Sequence, residues 1–224
     1  MIKLSNRLAN IASLIPKNAN VIDIGCDHAL LDIYLYQNSI SKKIIASDIN
    51  ANALNNAQEN IKKYKLENII ETRLGSGLDT LNDSDNIDTI IISGMGAHTI
   101  VGILKNNPLK LKNINTIIIQ SNTKLAFLRK KIVDLNYMIE DELIIDDNKK
   151  VYTIIKFQKG KKKYTKKELY FGPVLLKQKN AIFNKYYKQE LAKLNILLKV
   201  LPQDHLLERY KLKKEKRLYQ GIIE

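Results

Sequence analysis

Isoleucine-rich runs that break off into small and acidic residues leave this chain few folds to choose from. The first is Val21-Ile22-Asp23-Ile24, which ends in the turn Gly25-Cys26-Asp27-His28-Ala29 and is followed by a helical pattern. The next run, Lys43–Ser47, ends at Asp48. This is the opening βαβ unit of a nucleotide-binding α/β sheet, with an acid about 20 residues past the glycine turn, where such folds meet ribose hydroxyls. Gly25 lets the backbone turn sharply and come close to a ligand. Acids at Asp23 and Asp27 stand where a pyrophosphate would want only backbone N–H groups. A carboxylate there repels phosphate and attracts a cation. The ligand this implies is an adenosine carrying a positive group, S-adenosylmethionine. The plain alternative is an ordinary α/β turn with a capping aspartate; a nicotinamide dinucleotide is disfavoured by Asp27.

Further strands are expected at Ile69–Arg73, Thr89–Ser93, Thr116–Gln120, Met138–Ile145 and Val151–Phe157. Helical patterns lie at Leu4–Leu14, Ala29–Tyr36, Asn52–Tyr64, Ala97–Leu104 and Leu125–Leu135, while Leu74–Asp88 is too short for a firm assignment. Near-continuous Ile runs suit parallel strands covered on both faces. The last two strands are separated only by Asp146–Lys150, a hairpin connection. Five alternating strands closed by an antiparallel hairpin make a seven-stranded, Rossmann-like sheet of the class I methyltransferase kind.

The charge is segregated. Residues 156–224 hold 19 Lys or Arg against 6 Asp or Glu, a net of +13 out of +14 for the whole chain. A polyanion, most commonly nucleic acid, is the natural partner of such a surface. Residues 1–158 read as the catalytic domain, and residues 159–224 as a basic linker followed by a coiled-coil helical hairpin that starts near Pro173 and breaks at Pro202. Lys161, Lys162, Lys163, Lys166, Lys167, Lys213 and Lys214 are the expected RNA-phosphate contacts. Deleting the tail after Gly160 is expected to raise the KM for RNA more than it weakens cofactor binding. The single cysteine, Cys26, excludes a disulfide framework and a multi-cysteine zinc site. It lacks a basic neighbour to activate it and reads as a small buried hydrophobe. No apolar stretch reaches the roughly 18 residues of a membrane helix. A cytoplasmic, metal-free monomer is the default expectation.

Four clusters fall at predicted strand ends, the edge where parallel sheets bind ligands: Gly25–His28, Asp48–Asn50, Gly75–Leu78 and Ser93–Gly96. Gly75 and Gly77 would let backbone approach a flat adenine, and Leu78 could pack on its face; a flexible loop is the competing reading. Ser93-Gly94-Met95-Gly96 suits the floor of a reacting centre, or a tight turn with Met95 filling core space. Gln120-Ser121-Asn122 offers amides that could read a base edge, or a cap for the following helix.

Together with Leu4-Ser5-Asn6-Arg7-Leu8, Tyr152 and Phe171-Gly172-Pro173, these strings closely resemble the bacterial tRNA adenine-22 N1-methyltransferases over essentially the whole chain. This chain departs from the family pattern in two places: Ser93 and Ala97 flank Gly94-Met95-Gly96, and Ser121 stands where a proline is usual. The resemblance implies methyl transfer from S-adenosylmethionine to N1 of a tRNA D-loop adenosine. Cofactor contacts are then expected from Arg7, Gly25, Asp27, Asp48, Ile49, Asn50, Gly75, Ser76, Gly77, Leu78, Ser93, Gly94 and Met95. Asp27 would stabilise the charge growing on the base, with His28 or Asn122 orienting it, and Asp27→Ala should abolish methylation while sparing the fold. Methylation of another RNA base and a non-catalytic RNA-binding scaffold are the competing functions.

Overall fold

The computed structural model describes residues 2–223. Its strands are β1 (Asn20–Ile24), β2 (Lys43–Asp48), β3 (Ile70–Leu74), β4 (Thr89–Met95), β5 (Thr116–Ser121), β6 (Tyr137–Asp147) and β7 (Lys150–Lys159). They form one sheet in the order β3-β2-β1-β4-β5-β7-β6. The first five are parallel; β7 enters antiparallel between β5 and β6. All seven expected strands are present, with their ends slightly moved.

Successive strand residues face opposite sides, and both sides are covered, which is why the Ile runs need no polar alternation. Val21, Ile44, Ile91 and Ile118 share one core with α1 (Asn6–Leu14), α2 (Leu30–Gln37) and α3 (Ala51–Lys63). Ile22, Ile45, Ile90 and Ile117 share the other with α4 (Ala97–Asn106) and α5 (Leu125–Val133). The first helix starts at Asn6 rather than Leu4 because the Ser5 hydroxyl accepts from the Leu8 N–H at 3.3 Å, a side-chain N-cap. The unassigned stretch before β4 holds two short 3₁₀ turns, Gly77–Thr80 and Asp83–Asp85. The β6–β7 connection is shorter than expected. Asn148 and Lys149 alone make it, at φ 52° and 66°, the two positive values a type I′ hairpin turn requires.

Past β7 come α6 (Lys166–Phe171), α7 (Pro173–Gln178), α8 (Ala181–Val200) and α9 (Leu206–Ile223). The hairpin consists of α8 and α9 and begins later than expected. Leu176 belongs to α7, which ends where Lys179 turns left-handed, and Asn180 caps a fresh helix through the Phe183 N–H. Helix α6 went unread although Thr165 and Glu168 form a capping box, a signal visible in the sequence.

The tail is not a detachable appendage. Phe171, Leu175, Phe183, Tyr187, Tyr219 and Ile222 share a third core with Ile144 of β6. Beneath them the Arg129 guanidinium donates to Glu142 at 2.7 Å and to the carbonyls of Leu169 and Tyr170, with both side chains out of solvent. The second Glu142 oxygen accepts from the Val174 N–H at 3.0 Å. Gly172, at φ 96°, passes so close that a Cβ would sit 2.5 Å from that oxygen, so Phe171-Gly172-Pro173 can wrap this carboxylate only with glycine in the middle. Truncation after Gly160 would therefore uncover the core of β6 and strip the buried ion pair of partners. It would measure stability before it measured RNA binding. No helix among the described residues is long and apolar enough to cross a membrane.

Candidate active site

A cavity of about 460 Å³ opens at the C-terminal ends of β1, β2 and β4. Arg7, Gly25, Asp27, His28, Asp48, Asn50, Ser93, Gly94 and Met95 line it, so most of the expected cofactor residues do converge. The turn that shapes it alternates into the left-handed region at Gly25 (φ 82°), Asp27 (φ 52°) and Ala29 (φ 51°). Holding a non-glycine residue there costs ~1–2 kcal/mol, a strain that tends to collect at functional sites. At Gly25 a side chain would also run into the Met95 methyl, narrowing the cavity floor. Cys26 is buried in the core beneath, and burial pushes its thiol up, away from the reactive thiolate.

Asp48 closes β2. One of its oxygens accepts from the Asn50 N–H at 2.8 Å and the other faces the Asp27 N–H at 3.4 Å, leaving lone pairs for a pair of hydroxyls. The Asn50 side-chain oxygen is committed to capping α3. Ile49 does not line the cavity but is 71% exposed, and Leu74, paired in register with Asp48, is 59% exposed. The expected role of Leu78 is not met. Its side chain is fully buried in the core under α4, and Ser76, Gly77 and Leu78 border a separate depression. Gly75 stays close, donating its N–H to the Asp48 carbonyl. The exposed apolar surface on this side is therefore Ile49 and Leu74, the latter the last residue of β3 rather than the start of the unassigned stretch.

Arg7 reaches in from α1 to Ser93 (3.4 Å) and Gln120 (3.1 Å). The Gln120 oxygen also accepts from the Gly94 N–H, and its amide donates to Asn122. The Asn122 amide donates to the Gly94 carbonyl at 2.7 Å, so both ends of this side chain brace the β4 and β5 ends. Neither Ser121 nor Asn122 caps α5, whose N-cap is Lys124. Gln120, almost wholly buried, is the node of this network. Asp27 is 70% exposed at the rim, 3.6 Å from the His28 ring.

Asp23 lies on the cavity floor, 4% exposed, with one oxygen lacking any hydrogen-bond partner among the described residues. Burial pushes its carboxyl up to about 7, opposed by Arg7 and reinforced by Asp48. Asp32 of α2, completely buried with both oxygens unpartnered among the described residues, is raised as well, by burial and then by Asp23. A floor oxygen seeking a donor, the room left by the missing side chain at Gly25 and a receptive Asp48 fit an adenosine that carries a cationic group. The pH consequence has a definite sign. A carboxyl raised on folding stabilises most below its unfolded value, and that contribution is lost as pH climbs through the folded one. From about pH 5.5 to about pH 7 the Asp23 contribution should therefore cost about 2 kcal/mol. Thermal melts of Asp23→Asn should show a correspondingly flatter decline toward high pH than wild type; superimposable pH profiles would remove this account of Asp23.

The lysines divide. Lys161–Lys163 follow the C-terminal end of β7, and because β7 is antiparallel this end lies by the start of β5, across the sheet from the cavity. Lys167 donates to the Gly221 carbonyl at the end of α9. Lys166, Lys213 and Lys214 are exposed. The cations on the sheet edge that bears the cavity are others: Lys149 in the β6–β7 turn, Lys150 at the start of β7 and Lys124 before α5. Hairpin lysines next to a strand end were the available signal, hidden by the larger charge of the tail.

A parallel sheet closed by an antiparallel hairpin, with acids at the first two strand ends around one cavity, defines a class I S-adenosylmethionine-dependent methyltransferase. The family model for tRNA (adenine(22)-N(1))-methyltransferase matches residues 21–220. The tRNA (adenine(22)-N(1))-methyltransferase of Bacillus subtilis (strain 168) is 32% identical over 196 residues, 85% of this chain and 82% of that protein. The crystal structure of the B. subtilis M1A22 tRNA methyltransferase superposes with a TM-score of 0.90 at 28% identity, covering 100% of both chains. The M. capricolum relative, solved with the cofactor product S-adenosyl-homocysteine, gives 0.89 at 34% identity over 98% of this chain and 97% of that one. The chain belongs to the tRNA (adenine(22)-N(1))-methyltransferase family and is an S-adenosylmethionine-dependent enzyme of that family.

Proposed function

We propose that this chain methylates N1 of adenosine 22 in tRNA, that it works as a single polypeptide without a metal ion in the cytoplasm, and that the base enters over the rim between Asp27 and Asn122. The observation that carries the reading is the pair of acids around the first turn: a buried oxygen of Asp23 on the cavity floor with no partner among the described residues, and the exposed carboxyl group of Asp27 at its mouth. S-adenosylmethionine supplies a methyl group on a positively charged sulfur. Asp23 and Asp48 hold the cationic and hydroxyl-bearing parts, while Ile49 offers an exposed apolar face. N1 is on the Watson–Crick edge, so the adenine must be unpaired or turned out. Aligning two bound reactants contributes ~7–11 kcal/mol. Methylation makes the ring cationic, and Asp27, shielded from water once the base covers it, stabilises that charge. His28 steadies Asp27. Asn122 acts as a positioning residue that keeps the Gly94 backbone in place.

Residues 159–224 carry the phosphate backbone, through exposed lysines such as Lys166, Lys213 and Lys214, with Lys161–Lys163 serving an RNA segment that reaches around the sheet. Lys213→Gln combined with Lys214→Gln should raise the tRNA KM by about tenfold and reduce the salt slope of binding by about 1–2. Affinity for S-adenosylmethionine should stay unchanged. An unaltered salt slope would leave these lysines as solubilising charge. The reaction itself is tested by nucleoside mass spectrometry and primer extension on an in vitro tRNA transcript. 1-Methyladenosine at position 22 is expected, and methyl groups on N6 or on cytosine would overturn the assignment.

A further inference from the structure

A second concavity, of about 330 Å³, lies beside the cofactor cavity with Asn122 on its border. The β5–α5 loop and the start of β7 form its floor, and the tail forms its far wall. We propose that this groove is a nucleotide subsite, which takes the base and phosphate of the RNA residue adjoining the methylated adenosine. The proposal rests on the tRNA methylation reading above and deepens it.

Three observations converge. The first is continuity: the Asn122 amide that borders the groove donates to the carbonyl of Gly94, which lines the cofactor cavity, so one residue separates the two spaces. The second is aromatic surface. Tyr152, Tyr170 and Tyr186 line the groove and are only half-buried. Their supports hold them still: Tyr186 packs edge-on against Tyr187 at 5.1 Å, and the Tyr170 hydroxyl donates to Glu215 at 2.7 Å. A rigid aromatic wall stacks any base, worth roughly 5- to 150-fold in affinity per base. The third is charge. Lys124 and Lys150 line the groove and, among the described residues, no acid does, while Lys150 sits 5.1 Å over the Tyr152 ring, with Arg7 5.7 Å from the same ring. The carboxylates around it are engaged, Glu215 by two tyrosine hydroxyls, Glu190 by Lys193, and Asp146 and Asp147 across the hairpin by the backbone N–H groups of Lys149 and Arg7. A flat anion suits such a space. An apolar peptide or a second copy of this strongly basic chain does not.

The test is a coupling cycle on tRNA transcripts that carry an abasic residue on one or the other side of the target adenosine, comparing kcat/KM of wild type and Tyr186→Leu. Wild type should lose about tenfold with the abasic residue on one side, and the variant should lose less than about twofold from the same change. Affinity for S-adenosylmethionine should be the same in both, which establishes that the variant is folded. Lys150→Gln provides an independent arm: its loss in kcat/KM should be several-fold at low salt and vanish at high salt. Abasic and protein effects that simply multiply, together with a salt-independent or absent Lys150 effect, would overturn the subsite while leaving tRNA methylation standing. Failure of wild type to methylate the unmodified transcript would instead remove the underlying reading, and the subsite with it.

Discussion

Arg129→Met is expected to lower the unfolding free energy by about 3–5 kcal/mol, because it leaves the Glu142 carboxylate buried without its cation. The pair is closed to solvent on both sides, and Arg129 also satisfies the carbonyls of Leu169 and Tyr170. Burial already raises the Glu142 carboxyl, and Arg129 is the main opposing influence. Without it the group rises further, so the destabilisation should grow as pH increases. Urea unfolding at a mildly acidic and a mildly alkaline pH measures both the size and the sign. Adding Glu142→Leu should restore part of the loss, since a buried pair replaced by apolar groups is often neutral. Recovery stays incomplete because the Val174 N–H then lacks its acceptor. A single-variant loss below about 1 kcal/mol, the usual worth of an exposed pair, would mean that this contact does not anchor the tail.

Asp27→Asn is the second large effect, and it falls on chemistry. Asn is chosen over Ala because position 27 is left-handed, a conformation Asn tolerates and Ala resists. Single-turnover methylation should slow by about 10²-fold if the base shields this carboxylate from water in the transition state. Binding of S-adenosylmethionine, measured by calorimetry, should change little, since the cavity floor and Asp48 are untouched. A rate within a few-fold of wild type would show that Asp27 stays as exposed with substrate as it is at the rim here, and would shift the charge-stabilising role elsewhere.

The cavity at the first strand ends was legible because its determinants are local. Gly25, Asp27 and Ala29 alternate in the sequence, and those same three positions take positive φ in the turn. Asp48 stands at the end of its strand because the apolar run stops there. The surroundings of Leu78 and Asn122 were not legible, for one shared reason: a side chain's availability depends on what other elements leave open. Leu78 faces the core beneath α4, and the Asn122 amide is taken up by Gly94 and Gln120. Composition could not separate the lysines that face the cavity's edge from those across the sheet.

By itself the sequence determined the strands, the helices on both faces, the acidic first turn and the basic tail. Each is written in neighbouring residues, as periodicity, a break or a run of charge. The tertiary structure alone decided the insertion of β7 between β5 and β6, which sends Lys161–Lys163 to the far edge and brings Lys150 to the near one. It also decided the meeting of Arg129 with Glu142 under Gly172, and the tyrosine wall facing Asn122. Strand pairing and buried charge pairing join residues far apart in the chain, and their energies exist only once the partners have been brought together.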